Sequence, residues 1–317
     1  ILKMKLSRLL FVCFASIFSA SALADEFAKK AVLVTGASSG SGRVIAETLA
    51  KRGYYVYAGA RKKADIDALN AIENIHAIRL DVTVQDEIDA AVEAVRKNGK
   101  GLYGLVNNAG VAAMGPLIEI ASSEMEFVFD VNVYGPYRVT KAFAPLIIES
   151  QGRITTTGSV SGILSGSFYG PYSMSKHAME AFTDSLALEM DKFGVKVTII
   201  EPGGFSSKIG KTTYQRMKAG GFSIEDSRYK EEWEKNWLLQ QGGEIAIDND
   251  VPERIANAVI DTLEADDPKA RYMIVGSRQA AERTVRRAME EMLQVNEDHQ
   301  YSLSREELIA ILDELSE

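Results

Sequence analysis

Thr35-Gly36-Ala37-Ser38-Ser39-Gly40-Ser41-Gly42 is the stretch on which the reading of this chain turns. It follows an apolar run of strand length, Ala31–Thr35, and opens an amphipathic run of helix length, Val44–Lys51. Small residues let the backbone turn tightly and approach a phosphate closely. The helix that follows presents unpaired N–H groups and a partial positive charge to an anion. A glycine loop alone is a weak signal. Between a strand and a helix at the head of an alternating array it points to a dinucleotide pyrophosphate, with Gly36, Ser38, Ser39, Gly40, Ser41 and Gly42 as the cradle.

Outward from that loop, strand-length and helix-length runs alternate. Strands are expected at Ala31–Thr35, Tyr54–Gly59, Ile75–Leu80, Leu102–Val106, Arg153–Thr157, Val195–Ile200 and Arg271–Val275. Helices are expected at Val44–Lys51, Ala64–Ile72, Gln85–Lys97, Glu124–Ser150, Tyr172–Lys192 and Pro252–Leu263. Such alternation gives right-handed crossovers and a parallel sheet covered on both faces. The expected fold is α/β: a doubly wound, seven-stranded parallel sheet of Rossmann type in a single domain, residues 25–276. Ligands then bind at the carboxyl ends of the strands.

The second strand ends at Gly59-Ala60-Arg61-Lys62-Lys63. An acid near position 60 would accept the adenosine ribose hydroxyls of NAD. Ala60 stands there instead, and Arg61 is placed to pair with a 2′-phosphate, which favours NADP over NAD. The bland alternative is that residues 61–63 are solvated loop charges. Asp81, after the third strand, is placed to bond the adenine amino group.

Tyr172 and Lys176 lie four residues apart at the start of a helix, and so on one face. A tyrosine with pKa of about 10 is a poor base near neutrality, and a neighbouring ammonium favours its phenolate. Lys176 can also bond the nicotinamide ribose. Ser159 follows the fifth strand, where a hydroxyl donates to an oxygen developing negative charge. Ser161 competes with it. Asn132 lies inside the long helix, either as a poor helix former at a buried position or as a functional group at a bulge.

These motifs together resemble the short-chain dehydrogenases/reductases, over about Lys30 to Val275. The resemblance rests on T-G-x-x-x-G-x-G at Thr35–Gly42, Asp81-Val82, N-N-A-G at Asn107–Gly110, Asn132, Ser159, Tyr172/Lys176 and Pro202-Gly203. Glu201-Pro202-Gly203-Gly204-Phe205 is similar to the steroid/retinol dehydrogenase branch. Ser41 and Ser207 are small departures that preserve the chemistry.

The resemblance implies hydride transfer between a nicotinamide and an alcohol or ketone. It implies that Tyr172 moves the hydroxyl proton, Ser159 steadies the substrate oxygen, and Lys176 binds the ribose and lowers the Tyr172 pKa. Asn132 would hold a relay water. Val82, Asn108, Ala109, Gly110, Pro202 and Gly203 would line the cofactor. The rival readings are a non-enzymatic dinucleotide sensor on the same fold and a sugar-nucleotide epimerase or dehydratase. The first would fit loss of Tyr172 or Lys176. The second would need T-G-x-x-G-x-x-G and a larger C-terminal domain.

Two segments break the alternation. Residues 203–250 form a long connection with Trp233 and Trp237, read as a substrate lid anchored by Phe205 and the two tryptophans, with Gly pairs at 220–221 and 242–243 as hinges. An apolar or bulky substrate follows, and the bland alternative is that both tryptophans pack in a subunit interface. Residues 277–317 read as a charged helical tail, solvated or in contact with another subunit. A homo-oligomer, dimer or tetramer, is expected.

Residues 1–24 read as a leader: Lys3, Lys5 and Arg8, an apolar run from Leu9 to Phe18, then Ala22-Leu23-Ala24. Cleavage after Ala24 implies a periplasmic or secreted protein. Uncleaved, the segment is a membrane anchor or leaves the protein cytoplasmic. The formal charge of −8 argues against a nucleic-acid groove. The one cysteine, Cys13, lies in the leader, and His76, His177 and His299 are far apart, so no metal site is expected.

Overall fold

The computed structural model describes residues 30–204, 209–235 and 250–316. The leader, Cys13, Phe205, Ser207, Trp237 and the glycines at 242–243 lie outside the described residues. The first unit, ending at Gly276, contains β1 (Ala31–Val34), α1 (Gly40–Lys51), β2 (Tyr55–Ala60), α2 (Lys63–Asn70), β3 (Ile75–Arg79), α3 (Gln85–Asn98) and β4 (Gly104–Asn107). It continues through α4 (Ser122–Phe129), α5 (Gly135–Glu149), β5 (Arg153–Thr157), α6 (Gly170–Met190), β6 (Lys196–Pro202), α7 (Ile209–Ala219), α8 (Val251–Glu264) and β7 (Arg271–Ile274).

All seven strands are parallel, in the order β3-β2-β1-β4-β5-β6-β7. Every strand position of β1 and β4 is buried, because helices cover both faces and leave no polar side to the sheet. On one face Ile45 and Leu49 of α1 pack with Ile255 and Val259 of α8. On the other, Ile88 and Val95 of α3 pack with Val139, Phe143 and Ile147 of α5. Strand order reverses between β1 and β4. The crevice at their carboxyl ends is therefore the topological switch point where such sheets hold ligands. The glycine loop leaves β1 there, and Asn107–Gly110 leave β4.

One expected element is two. The run Glu124–Ser150 does not form a continuous helix: α4 ends at Phe129, residues Asp130–Tyr134 make a wider π turn, and α5 starts at Gly135. The cause is Pro136. An α-helix would have the carbonyl of Asn132 accept the N–H of residue 136, and proline has none. The Gly135 N–H instead reaches back to the Asp130 carbonyl. Gly135 is required, since a Cβ would lie 2.7 Å from Val82 Cγ2. Helix α6 begins at Gly170-Pro171, two residues before its expected start, with proline in the first turn where a missing N–H costs nothing.

The second unit, Ser277–Glu317, contains α9 (Arg278–Val295) and α10 (Arg305–Ser316). Ser277 Oγ accepts the Ala280 N–H at 3.1 Å to cap α9. Ser304 and Glu307 form a reciprocal capping box ahead of α10. Among the described residues, no helix is long and apolar enough to cross a membrane.

Candidate active site

The glycine loop is tied to the N-N-A-G segment by Thr35 and Ser41. Thr35 Oγ1 accepts the N–H groups of both Asn108 and Ala109 at 3.0 Å. Asn108 Nδ2 donates to the Thr35 carbonyl at 3.0 Å, and Ser41 Oγ donates to Asn108 Oδ1 at 3.1 Å. Gly36 sits at φ +66, and a Cβ there would lie 2.8 Å from the Ala109 Cα. Gly42 is tighter, at 2.3 Å from Asn108 Nδ2. These two glycines serve the protein's own packing. Gly40 differs: its φ is +58, and a Cβ would meet nothing within 4 Å. Beside it Ser39 is exposed and Ser38 half-buried. Ser39, at the N-cap of α1, makes no side-chain cap bond, and the first turn carries no acid. An uncapped N-terminus facing open space is what an anionic pyrophosphate needs.

Arg61 is exposed at the end of β2, with Nη1 3.5 Å from Asp81 Oδ2. Asp81 Oδ1 accepts the N–H and hydroxyl of Thr83 at 3.0 and 2.8 Å. Burial raises the Asp81 carboxyl, but the Thr83 bonds and the Arg61 charge outweigh it and hold the pKa below the ordinary value. Arg61 and Asp81 thus stand together at the rim of the crevice. Val82 is buried against Gly135.

Tyr172 and Ser159 lie close together. The Ser159 side chain is near enough to the phenol to act on it as a hydrogen-bonding neighbour. Ser159 Oγ donates to the Pro202 carbonyl at 3.2 Å and accepts the Ser161 N–H at 3.1 Å. Of the two serines, Ser159 faces the Tyr172 side, and Ser161 bonds Ser159 through its backbone N–H. Gly203 follows Pro202 with its N–H on the Ile274 carbonyl at 2.8 Å, and a Cβ would lie 2.7 Å from Val275 Cγ1.

Lys176 is buried, donates to the Thr157 carbonyl at 2.7 Å, and lies over the Tyr172 ring at 5.7 Å from its centroid. Burial brings its pKa down to about 8, against a raising influence from Glu180. The Tyr172 phenol moves the other way from the sequence expectation. Burial pushes it up, and the Ser159 bond opposes the rise without overcoming it. Lys176 spends its hydrogen bond on Thr157 rather than on the phenol oxygen.

Asn132 is buried in the π turn. Its Oδ1 accepts the Val111 N–H at 2.8 Å, and Nδ2 donates to the Val111 carbonyl at 2.8 Å and to Ser175 Oγ at 3.0 Å. Ser175 in turn donates to the Tyr172 carbonyl at 2.7 Å. Asn132 therefore fixes the segment after Gly110 to the helix that carries Tyr172 and Lys176. The residue does sit at a helix bulge, where its side chain clamps Val111 to Ser175.

Sequence reasoning missed the Thr35 clamp, the Ser175 link and the carboxyl group beside Lys176. Glu180, one turn beyond Lys176, and Glu201, charged at the end of an apolar strand, were the visible signals of the last. An apolar cleft on the outer side of α4 and α6, lined by Met125, Phe129, Tyr134 and Met174, holds none of these reacting groups.

The sequence model of the family described as short chain dehydrogenase matches residues 30–218. The chain belongs to the short-chain dehydrogenase family. The mitochondrial D-beta-hydroxybutyrate dehydrogenase of Bos taurus is 37% identical over 196 residues, 58% of this chain and 57% of that protein. The chain thus spans under two thirds of the length of that relative. The NADPH-dependent 3-dehydrocapnine reductase of Ornithobacterium rhinotracheale is 34% identical over 251 residues, 76% of this chain and 87% of the reductase. Among solved structures, a short-chain dehydrogenase/reductase from Burkholderia phymatum in complex with NAD superimposes with a TM-score of 0.69 at 26% identity, covering 86% of this chain and 98% of that one. Short-chain dehydrogenases in this set thus include one described as NADPH-dependent and one bound to NAD.

Proposed function

We propose that this short-chain dehydrogenase is an NAD(P)-dependent oxidoreductase acting on a secondary alcohol or ketone, with Tyr172 as acid/base. The observation that carries the reading is the convergence of Tyr172 and Ser159 at the carboxyl edge of the sheet, with Lys176 5.7 Å from the centre of the same ring. The uncapped start of α1 and the open space at Gly40 fit a dinucleotide pyrophosphate. The bound nicotinamide supplies or takes the hydride. Tyr172 moves the proton at the substrate oxygen, and burial keeps its phenol protonated and ready to donate. Ser159 stands next to the phenol to steady the same oxygen. Lys176, with its pKa near 8, holds a proton within the same buried group.

NADP is the preferred cofactor in this reading, because Arg61 stands at the rim where a 2′-phosphate would lie. The substrate is apolar or bulky. Trp233 is buried with its ring 5.3 Å from Phe168 and 5.5 Å from Phe222, and Phe168 lies four residues before Tyr172. This aromatic group gives the described part of the 203–250 segment an apolar underside beside the reacting residues. Self-association is assigned to the outer face of α5 and α6, where Tyr137 and Met174 are about half exposed.

The test is Tyr172→Phe in the full chain, with NADPH and NADH each offered a series of ketones, retinoids and steroids. Turnover should fall by at least about 100-fold while dinucleotide binding persists. A near-native rate would refute the acid/base assignment.

A further inference from the structure

We propose that Glu180 and Glu201 form a proton-sharing carboxyl pair, tied by Arg271, that positions the charge of Lys176. The inference rests on Lys176 belonging to the reacting group, and it adds two residues that act through it.

The geometry begins with two orphaned oxygens. Glu180 Oε1 and Glu201 Oε1 are both buried and lack a hydrogen-bond partner. The two carboxyls nonetheless converge on one atom, the Nε of Arg271, and each acts on the other as a neighbouring carboxyl. Two carboxylates brought together around one cation repel, and each orphaned acceptor costs its desolvation. One proton shared between them removes both penalties. Glu201 is 3% exposed, so water does not offer an alternative partner from bulk. Arg271 of β7 holds the pair in place: its Nε is 3.3 Å from Glu180 Oε2 and 3.8 Å from Glu201 Oε1, and its Nη2 is 2.7 Å from Asp184 Oδ1.

The ionisable groups facing Glu180 are few. Lys176 and Asp184 come from its own helix, Glu201 from β6 and Arg271 from β7. The turn at Val160–Gly162 contributes no ionisable side chain. It approaches closely instead: a Cβ on Gly158 or Gly162 would lie 3.2 or 2.7 Å from Glu180 Oε1. Those glycines let the carboxyl lie under the turn that follows Ser159.

Burial and the Glu201 charge push Glu180 up to about 7, with Arg271 opposing. Glu201 is also raised by burial. Lys176, one turn away, feels Glu180 as a raising influence. When the pair holds its proton, one negative charge faces Lys176 from this side. When the proton leaves, there are two, and the ammonium is favoured more strongly. The pair therefore keeps Lys176 charged further into the alkaline range than burial alone would allow.

The test is titration of the full chain, with and without NADPH. Lysine-detected NMR follows Lys176, assigned by its loss in Lys176→Met, and infrared spectroscopy follows the protonated-carboxyl stretch. The wild type should show a buried carboxylic acid that titrates near pH 7. Glu180→Gln should remove it and lower the Lys176 midpoint by about half a unit or more, because the charge is gone. Glu201→Gln should move the Glu180 transition to lower pH, because the like charge is gone, and leave Lys176 charged. A merely structural role would disturb both variants in the same direction. An unmoved Lys176 midpoint in Glu180→Gln overturns the proposal. If that variant does not fold, an unshifted carboxyl transition in Glu201→Gln overturns it. Failure here leaves the Tyr172→Phe result untouched, and a silent Tyr172→Phe leaves this titration untouched, so the two readings fail separately.

Discussion

Thr35 Oγ1 accepts two backbone N–H groups, of Asn108 and Ala109, at 3.0 Å each. Thr35 is 2% exposed, so water cannot replace it. Thr35→Val keeps the shape and removes the acceptor. The expected outcome is a loss of about 1–3 kcal/mol in unfolding free energy, measured in urea, because two part-buried donors lose their partner. NADPH affinity should fall in parallel, since the two loops that form the crevice keep only the Asn108–Thr35 carbonyl and Ser41–Asn108 bonds between them.

The loop glycines separate by what surrounds them. Gly36→Ala drives a Cβ to 2.8 Å from the Ala109 backbone at a φ of +66, so it should destabilise the folded protein outright. Gly40→Ala meets no protein atom and carries only the cost of positive φ, about 1 kcal/mol. Its main effect should be on NADPH binding, read by fluorescence titration. Equal losses of stability in the two variants would contradict this division.

Arg61 faces Asp81 at 3.5 Å. Arg61→Ala should weaken NADPH relative to NADH by about 1–3 kcal/mol, the scale of a charge-assisted contact. The surface pair with Asp81 is worth little by itself, so melting temperature should barely change. An unaltered ratio of the two dissociation constants would show that Arg61 does not meet the 2′-phosphate.

The folded state raises Glu180 from 4.5 to about 7, so it binds more protons there than the unfolded chain does. Stability from this group is full below about pH 4.5 and is lost as pH rises through 7. Glu180→Gln has no such loss. Its unfolding free energy relative to wild type should therefore rise between about pH 5 and 8, by on the order of 2–3 kcal/mol in total. Chemical denaturation of both proteins across that range checks the sign. A constant difference would mean the carboxyl ionises normally in the folded protein.

Much of this protein was determined by sequence alone. Strand-length apolar runs separated by helix-length runs specify a parallel sheet, because only a strand buried on both faces is apolar at every position. The small residues from Thr35 to Gly42 specify a tight turn into a helix. Tyr172 and Lys176, four apart, share a helix face whatever surrounds them. These are local facts of period and reach. The break at Asn132 was also local, written in Pro136, but a continuous apolar period concealed it.

The rest depended on elements distant in sequence coming together. Ser159 was distinguished from Ser161 only when Pro202 of β6 and Tyr172 of α6 came to meet it. The direction in which Tyr172 is shifted depended on burial, which no spacing encodes, and burial overrode the lowering influence expected of Lys176. The Glu180–Glu201–Arg271 group joins a helix and two strands separated by up to 91 positions. A charge in a sequence carries no record of what it will face. Only the tertiary structure, by excluding water and setting carboxyl against carboxyl, decides whether that charge is kept.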